Sequence, residues 1–441
     1  MAEPASVASR ASLSVKTALD KARWRILPLL GLCYLVAYMD RANISFAAET
    51  MDRDLGFTAA VYGLGAGLFF LSYAACEVPS NAALLRFGAR RWLARIMLTW
   101  GLLAVGMMFV RGTRSFYTLR LLLGMAEAGY FPGAIYYLSQ WFPPAERARA
   151  ISRFYISLPI STIVMGLAAG SLLHLDGTFG LRGWQWLFLV EGLPALILSA
   201  CLWFLLPDGP ANARWLSAEE REALAEEAAV PPVVSQDRRG HSPASLWQVF
   251  RIGRIWALGG LFFCGFICVY GLGFSLPVLL REATGWTAAQ VGYLIAASGV
   301  AGVFAMLGNA AHSDRTGDRT WHIALPLLVM VASCITACLS LRRPVAAAAL
   351  LIVIVSWYAV QGPLLGVCTT VVAGRGGAIA IAVINTFGIV GGFLGPYWMG
   401  WMRDRVGSYA VGIGALAIPC LVSMVCILLV GRLRPLEEAP A

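Results

Sequence analysis

The chain has 441 residues, 59% of them hydrophobic and 13% charged, with a formal net charge of +10. An ordinary soluble domain is about 25% charged, so the composition describes a protein built into a bilayer and excludes a separate soluble domain of any size. The basic excess does not point to nucleic acid, because the arginines are scattered between apolar runs rather than gathered on one soluble face.

In chain order the apolar runs cover residues 26–48, 59–84, 93–110, 116–141, 151–174 and 184–206, then 256–280, 288–311, 323–341, 344–373, 378–402 and 409–430. Each is near the ~20 residues that a helix needs to cross the hydrocarbon core, and barrel strands would instead alternate over ~10 residues. The sequence predicts an all-α membrane protein with twelve transmembrane helices in two pseudo-symmetric bundles. The expected organisation is an amino-terminal tail (1–25), a first six-helix bundle (26–206), a linker (207–253), a second bundle (254–431) and a short tail (432–441). The first 25 residues have no apolar core and no cleavage site, so no cleaved signal peptide is expected.

Basic residues set the expected orientation. Placing Lys16, Lys21, Arg23 and Arg25 in the cytoplasm also places Arg86, Arg90, Arg91, Arg95, Arg147, Arg149, Arg153, Arg315, Arg319, Arg432 and Arg434 there. Fewer fall outside: Arg53, Arg111, Arg114, Arg182, Arg281, Arg342, Arg343, Arg403 and Arg405. The positive-inside rule then puts both termini in the cytoplasm, in a bacterial inner membrane. Within the linker, Ser217 followed by Glu219, Glu220 and Arg221 reads as a capping box opening a short helix, broken later by Pro231, Pro232 and Gly240, in an otherwise solvated segment.

The most informative residues are charges inside the spans, where each costs a few kcal/mol or more and marks a functional hypothesis. Arg120 and Glu127 lie seven residues apart in the fourth run, on one helical face but about 10 Å apart along the axis, too far to pair. Asp40 and Arg41 stand in the outer half of the first run, at the depth of Arg120, so Asp40 is expected to pair with Arg120. Glu127 falls near the midplane and is expected to carry a proton, while Arg41 either reaches it or clamps an incoming carboxylate. Glu191, beside Gly192 and Pro194 in the sixth run, is expected to be structural. The first and fourth runs of the second half carry no ionised residue in their middles, so that half is expected to offer neutral groups such as Tyr270, Gln361 and Asn385. Tyr34, Tyr38 and Tyr73 are the matching aromatic candidates in the first half.

Both halves repeat a Gly-centred basic loop between their second and third runs, at 86–91 and 314–319. A gating role is expected for Arg86, Gly88, Arg90 and Arg91 in the first copy and Asp314, Arg315 and Gly317 in the second. The first copy has Leu85 where an acid belongs, and Glu77 just before it is a candidate to supply the missing charge. Pairs of small residues, Gly63 with Gly67, Gly166 with Gly170 and Gly388 with Gly392, are expected to let helix backbones approach. The ten cysteines lie mostly inside runs, and Cys264 with Cys268 has no histidine nearby; packing is expected, with no metal and no cofactor.

These loops, with Tyr38-Met39-Asp40-Arg41-Ala42-Asn43-Ile44, Glu77-Val78-Pro79-Ser80-Asn81, the stretch from Arg120 to Gly129, Trp184-Gln185-Trp186-Leu187-Phe188 and Asn385-Thr386-Phe387-Gly388, resemble the major facilitator superfamily, and within it the anion:cation symporter branch. The resemblance implies the two-bundle facilitator fold, alternating access, and proton-coupled uptake of a small organic carboxylate by a functional monomer. It also implies that Asp40, Arg120 and Glu127 serve proton coupling, and that Asn385 contacts substrate beside Arg41. Apolar Leu158 and Leu365, where some sugar-acid carriers present a polar amide, favour a tartrate-like, aromatic or simpler acid. An exchanger or exporter of the same fold is the alternative, and a nutrient sensor a remote one. An intramembrane enzyme is not expected, since His174, His241, His312 and His322 sit in loops or at run ends without HExxH spacing.

Overall fold

The structure, a computed structural model, describes residues 4–228, 252–341, 343–371 and 377–431. Expectations for Arg342, for Pro231, Pro232 and Gly240 in the linker, for His241, and for Arg432, Arg434 and the carboxy-terminal tail lie outside the described residues. The first half comprises α1 (Pro4–Arg25), α2 (Leu27–Leu55), α3 (Ala59–Phe87), α4 (Ala89–Gly106), α5 (Thr113–Glu127), α6 (Tyr130–Trp141), α7 (Pro144–Tyr155), α8 (Ser157–Leu173) and α9 (Gly183–Leu205). After α10 (Ala218–Ala228) the second half follows as α11 (Gly253–Thr284), α12 (Ala288–Thr316), α13 (Thr320–Leu339), α14 (Pro344–Val371), α15 (Gly377–Val406) and α16 (Ala410–Val430). Among the described residues nine spans are each long and apolar enough to cross a membrane; α2, the α5–α6 pair and α15 complete two sets of six. Two hydrophobic cores hold the halves, each drawn mainly from one half but crossing into the other: Phe274 and Ile389 join the first, and Phe46, Met165, Ala169 and Leu187 join the second.

One span departs from the predicted single helix. The run 116–141 breaks after Glu127, where Ala128 turns extended and Gly129 takes a left-handed conformation at φ 87°. A Cβ at Gly129 would lie 2.4 Å from Ser80 Oγ, so both the backbone and the neighbour demand glycine there. Hydropathy cannot register such a break, because the sequence stays apolar through it.

The halves touch through glycine seams at the end distant from α1. A Cβ on Gly63 or Gly67 of α3 would sit 2.3 Å from the Pro396 carbonyl oxygen or 2.7 Å from that of Phe393 on α15. Across the second seam Gly166 of α8 and Gly292 of α12 oppose each other, each too near the other's carbonyl for a side chain. Gly388 instead packs on Phe262 and Phe266 within its own half. Asp404 of α15 accepts from the Ala59 and Ala60 amides at 3.2 and 2.9 Å, so a second-half carboxylate caps a first-half helix at its positive end. Arg281 pairs with Glu49 across the same end. Gly292→Val is expected to force this seam apart: spin labels at Thr50 and Glu282 should move further apart, and an unchanged distance would show that the seam tolerates bulk.

At the opposite end, the first part of the linker is not free in solvent. Ser217 and Glu220 form the reciprocal capping box, with the Ser217 amide donating at 2.9 Å and the Glu220 amide at 3.1 Å. Lys21 of α1 donates to both Glu220 oxygens at 2.7 and 2.8 Å. Desolvation pushes the Glu220 carboxyl up, but Lys21 and the Ser217 amide outweigh it and hold it below its ordinary value. Trp215 stacks on Trp141 at 5.3 Å and lies under Arg25. The solvated-linker expectation is therefore corrected for residues up to 228: α10 docks on the first bundle because paired charges and a tryptophan stack hold it.

Candidate functional site

Between the halves lies a cavity of about 230 Å³, walled by α2, α3, α6, α7, α8, α11, α12, α14 and α15. Its lining is rich in aromatics, including Tyr34, Phe131, Tyr155, Phe262, Phe266 and Trp357, and among the described residues Arg41 is its one charged member. Tyr38, Tyr73, Tyr270, Gln361 and Asn385, all named from sequence, line it as well. Leu158 lines it and Leu365 does not. Tyr155, Thr162 and Tyr358 were not singled out by sequence. Thr162 and Tyr358 hydroxyls meet at 2.6 Å across the halves, a pairing that no local spacing could announce.

Arg41 projects from the middle of α2 into an aromatic collar. Its guanidinium carbon stands 5.0 Å from the Tyr38 ring centroid, 5.2 Å from Tyr73 and 5.4 Å from Phe69, distances suited to cation–π attraction. Behind it, Nε and Nη2 both donate to Glu127 Oε1, at 2.8 and 2.5 Å. Glu127 is 1% exposed, and its Oε2 has no hydrogen-bond partner among the described residues. The carboxylate also sits on the last residue of α5, where unsatisfied carbonyls and the helix dipole disfavour negative charge. One buried oxygen of Glu127 is thus without a described partner, and the other depends on a guanidinium that also faces the cavity.

Two expected contacts are replaced by others. Asp40 and Arg120 do not pair. Asp40 accepts from Trp100 Nε1 at 2.8 Å and from Asn43 Nδ2 at 3.1 Å. Arg120 donates from Nε and Nη2 to the Gly65 and Ala66 carbonyls, each at 3.2 Å, and lies over Phe69 at 4.9 Å. It staples α5 to α3, and its donors are spent on backbone that only the packed bundle brings near. Glu77 does not supply an acid to the first basic loop. It accepts from Asn385 Nδ2 of α15 at 2.8 and 3.2 Å, tying the halves beside the cavity. The acid at the loop is Asp208, just beyond α9, which Arg90 engages at 3.1 Å.

The loops themselves turn at Gly88 (φ 86°) and Gly317 (φ 70°). Arg86 lies over Phe87, Arg91 is exposed, and Asp314 is 3.9 Å from Arg319, while Arg315 is exposed. Among the described residues neither loop makes an ion pair across the halves. In the second core, Cys268, Cys334 and Cys420 converge with their sulfurs within 4.8 Å of one another, all three buried. They come from α11, α13 and α16, so their spacing along the chain gave no sign of it.

A cavity between two six-helix halves, with a paired buried charge on its wall and glycine seams along its flanks, defines a membrane carrier. The chain belongs to the Major Facilitator Superfamily, whose model matches residues 30–396. It is an integral multi-pass membrane protein and a transporter. It is 42% identical over 417 residues to an Agrobacterium vitis protein named "Putative tartrate transporter", covering 95% of this chain and 92% of that one. With the inner membrane transport protein RhmT of Escherichia coli K12 it shares 35% identity over 413 residues, 92% of this chain and 94% of that one. The inward-facing, unoccupied crystal structure of a bacterial homologue of the human lysosomal transporter Spinster superposes with a TM-score of 0.76 at 19% identity, covering 93% and 97% of the two chains.

Proposed function

We propose that this protein is a proton-coupled symporter that takes up a small organic carboxylate by alternating access, with both termini in the cytoplasm. The observation that carries the reading is the Arg41–Glu127 pair: one guanidinium serves a buried carboxylate on one side and faces the cavity on the other. When a substrate carboxylate takes Arg41, Glu127 loses both of its described donors, and a buried unpaired anion costs several kcal/mol. Taking a proton removes that cost. Substrate and proton therefore enter together, and the loaded carrier rearranges without a bare charge in its core. Asp40 is the second candidate for a transported proton, and the basic loops gate the cytoplasmic side. In this orientation the glycine seams close the cavity to the outside.

The single cation and aromatic wall support a monoanionic aromatic acid over a dianion such as tartrate. One guanidinium neutralises one carboxylate, and flat rings stack on Tyr, Phe and Trp. Uptake into proteoliposomes under an imposed inward proton gradient, with benzoate-type acids and L-tartrate compared side by side, tests this. Uphill accumulation of the aromatic acid is expected. Accumulation of tartrate alone would overturn the substrate class, and accumulation that ignores the gradient would overturn proton coupling.

A further inference from the structure

The first bundle holds another carboxyl that the Arg41 pair does not use. Glu191 on α9 is 3% exposed, and neither carboxyl oxygen has a hydrogen-bond partner among the described residues. Asn43 of α2 is the polar side chain beside it, and Asp40 is the charged group that bears on it. Asn43 is itself buried. Its amide nitrogen donates to Asp40 Oδ1 at 3.1 Å, while its own Oδ1 receives no donor.

Among the described residues no cation answers Glu191 from the helices packed on α9. From α2 the facing groups are Asp40 and Asn43, and from α4 the Trp100 indole reaches Asp40. The α4 arginines lie toward the other end: Ser199, eight residues beyond Glu191, donates to the Ala94 carbonyl at 2.8 Å, which puts that level about 12 Å away along the axis. The helix α8 has no ionisable residue, and neither has the turn Met107–Phe109. An ionised Glu191 would be a buried anion beside a second acid, without a described hydrogen-bond donor, and burial disfavours that charge. A protonated Glu191 has one O–H to donate, and the neighbouring Asn43 has one oxygen without a described donor; with the amide oxygen turned to Glu191 and its nitrogen kept on Asp40, the neutral acid satisfies both.

We propose that Glu191 is a permanently proton-loaded acid that donates to Asn43 and through it positions Asp40, so that the two carboxyls form one site holding a single negative charge. Asp40 is the member that titrates, held by Trp100 on one oxygen and by the Asn43 amide on the other, with the Arg120 guanidinium of α5 and that of Arg41 on α2 the cations that bear on it. Glu191 fixes the direction of that amide, since an Asn43 whose oxygen is occupied by Glu191 must present its N–H to Asp40. Glu191 is a positioning residue. Its effect on transport rests on the proton-coupled reading above, while its protonation stands independently.

The full-length protein in proteoliposomes tests this with wild type, Glu191→Gln and Glu191→Leu. The infrared difference spectrum of wild type minus Glu191→Gln at neutral pH should contain the carbonyl band of a protonated carboxylic acid. Glu191→Gln, which keeps a neutral polar group facing Asn43, should transport within about twofold of wild type with the same pH midpoint. In Glu191→Leu the midpoint should move by about one pH unit or more, because Asn43 is no longer held. Absence of the carbonyl band would overturn the proposal, as would a wild-type midpoint in Glu191→Leu, which would leave Glu191 a packing residue. If Glu191→Leu does not fold, the infrared band and the Glu191→Gln profile decide. A wild type that ignores the proton gradient while showing the band would sink the symport reading and leave the protonated Glu191 in place.

Discussion

Arg41→Ala is expected to abolish high-affinity binding of the carboxylate. Removing one partner of a buried, hydrogen-bonded charge pair costs about 2–5 kcal/mol, roughly thirtyfold to several thousandfold in affinity. Arg41 is the one described charge on the cavity wall, so no neighbouring cation can substitute for it. The substitution also strands Glu127, whose described donors both come from Arg41. The single variant should therefore lose thermal stability as well, and Arg41→Ala combined with Glu127→Gln should recover much of that stability without recovering binding. Arg41→Lys keeps the charge but replaces a fork by a compact ammonium, which cannot serve Glu127 and a substrate from two edges. Calorimetric titration with the best substrate of the carboxylate panel, beside a thermal melt, measures both effects. Affinity within a few-fold of wild type in Arg41→Ala would remove Arg41 from the substrate site.

Glu127→Gln is expected to separate exchange from accumulation. The amide keeps the size of a protonated carboxyl and cannot lose its proton, so the carrier should always behave as if loaded. Each pH unit across the membrane is worth about 1.36 kcal/mol per proton, about tenfold in substrate concentration for a one-to-one symporter. In proteoliposomes with a one-unit gradient the wild type should approach that ratio, and Glu127→Gln should level off at about one while still exchanging labelled substrate. The same competition predicts that wild-type substrate affinity rises as pH falls, because protonating Glu127 frees Arg41, and that this dependence flattens in Glu127→Gln. Undiminished accumulation in the variant would place the proton elsewhere in the bundle.

Part of this site was legible in the chain. Helical rise put Arg41 in the outer half above a midplane Glu127 and left it either to reach down to that carboxylate or to clamp a substrate; the two are paired by two hydrogen bonds. The same depth argument expected Asp40 to meet Arg120, and there it failed. Rise gives height along the membrane normal but not the direction a side chain faces. At its height Arg120 found the Gly65 and Ala66 carbonyls, and Asp40 found the Trp100 indole. Glu77 illustrates the same limit: next to the basic loop in sequence, it turns to Asn385 in the other half, while Asp208 from beyond the sixth span meets Arg90.

By itself the sequence determined what depends on local composition: a bilayer protein, the number and length of its spans, the capping box at Ser217 and Glu220, and the charges that no bilayer tolerates without a purpose. Tertiary structure decided which groups those charges serve, where the fourth span breaks after Glu127, which glycines form seams between the halves, and that three cysteines from separate helices share one pocket. The reason is physical. Hydropathy and helical rise are sums over neighbours along one chain, whereas the rotation of each helix and the competition among donors for one buried carboxylate are settled only when all the helices pack together.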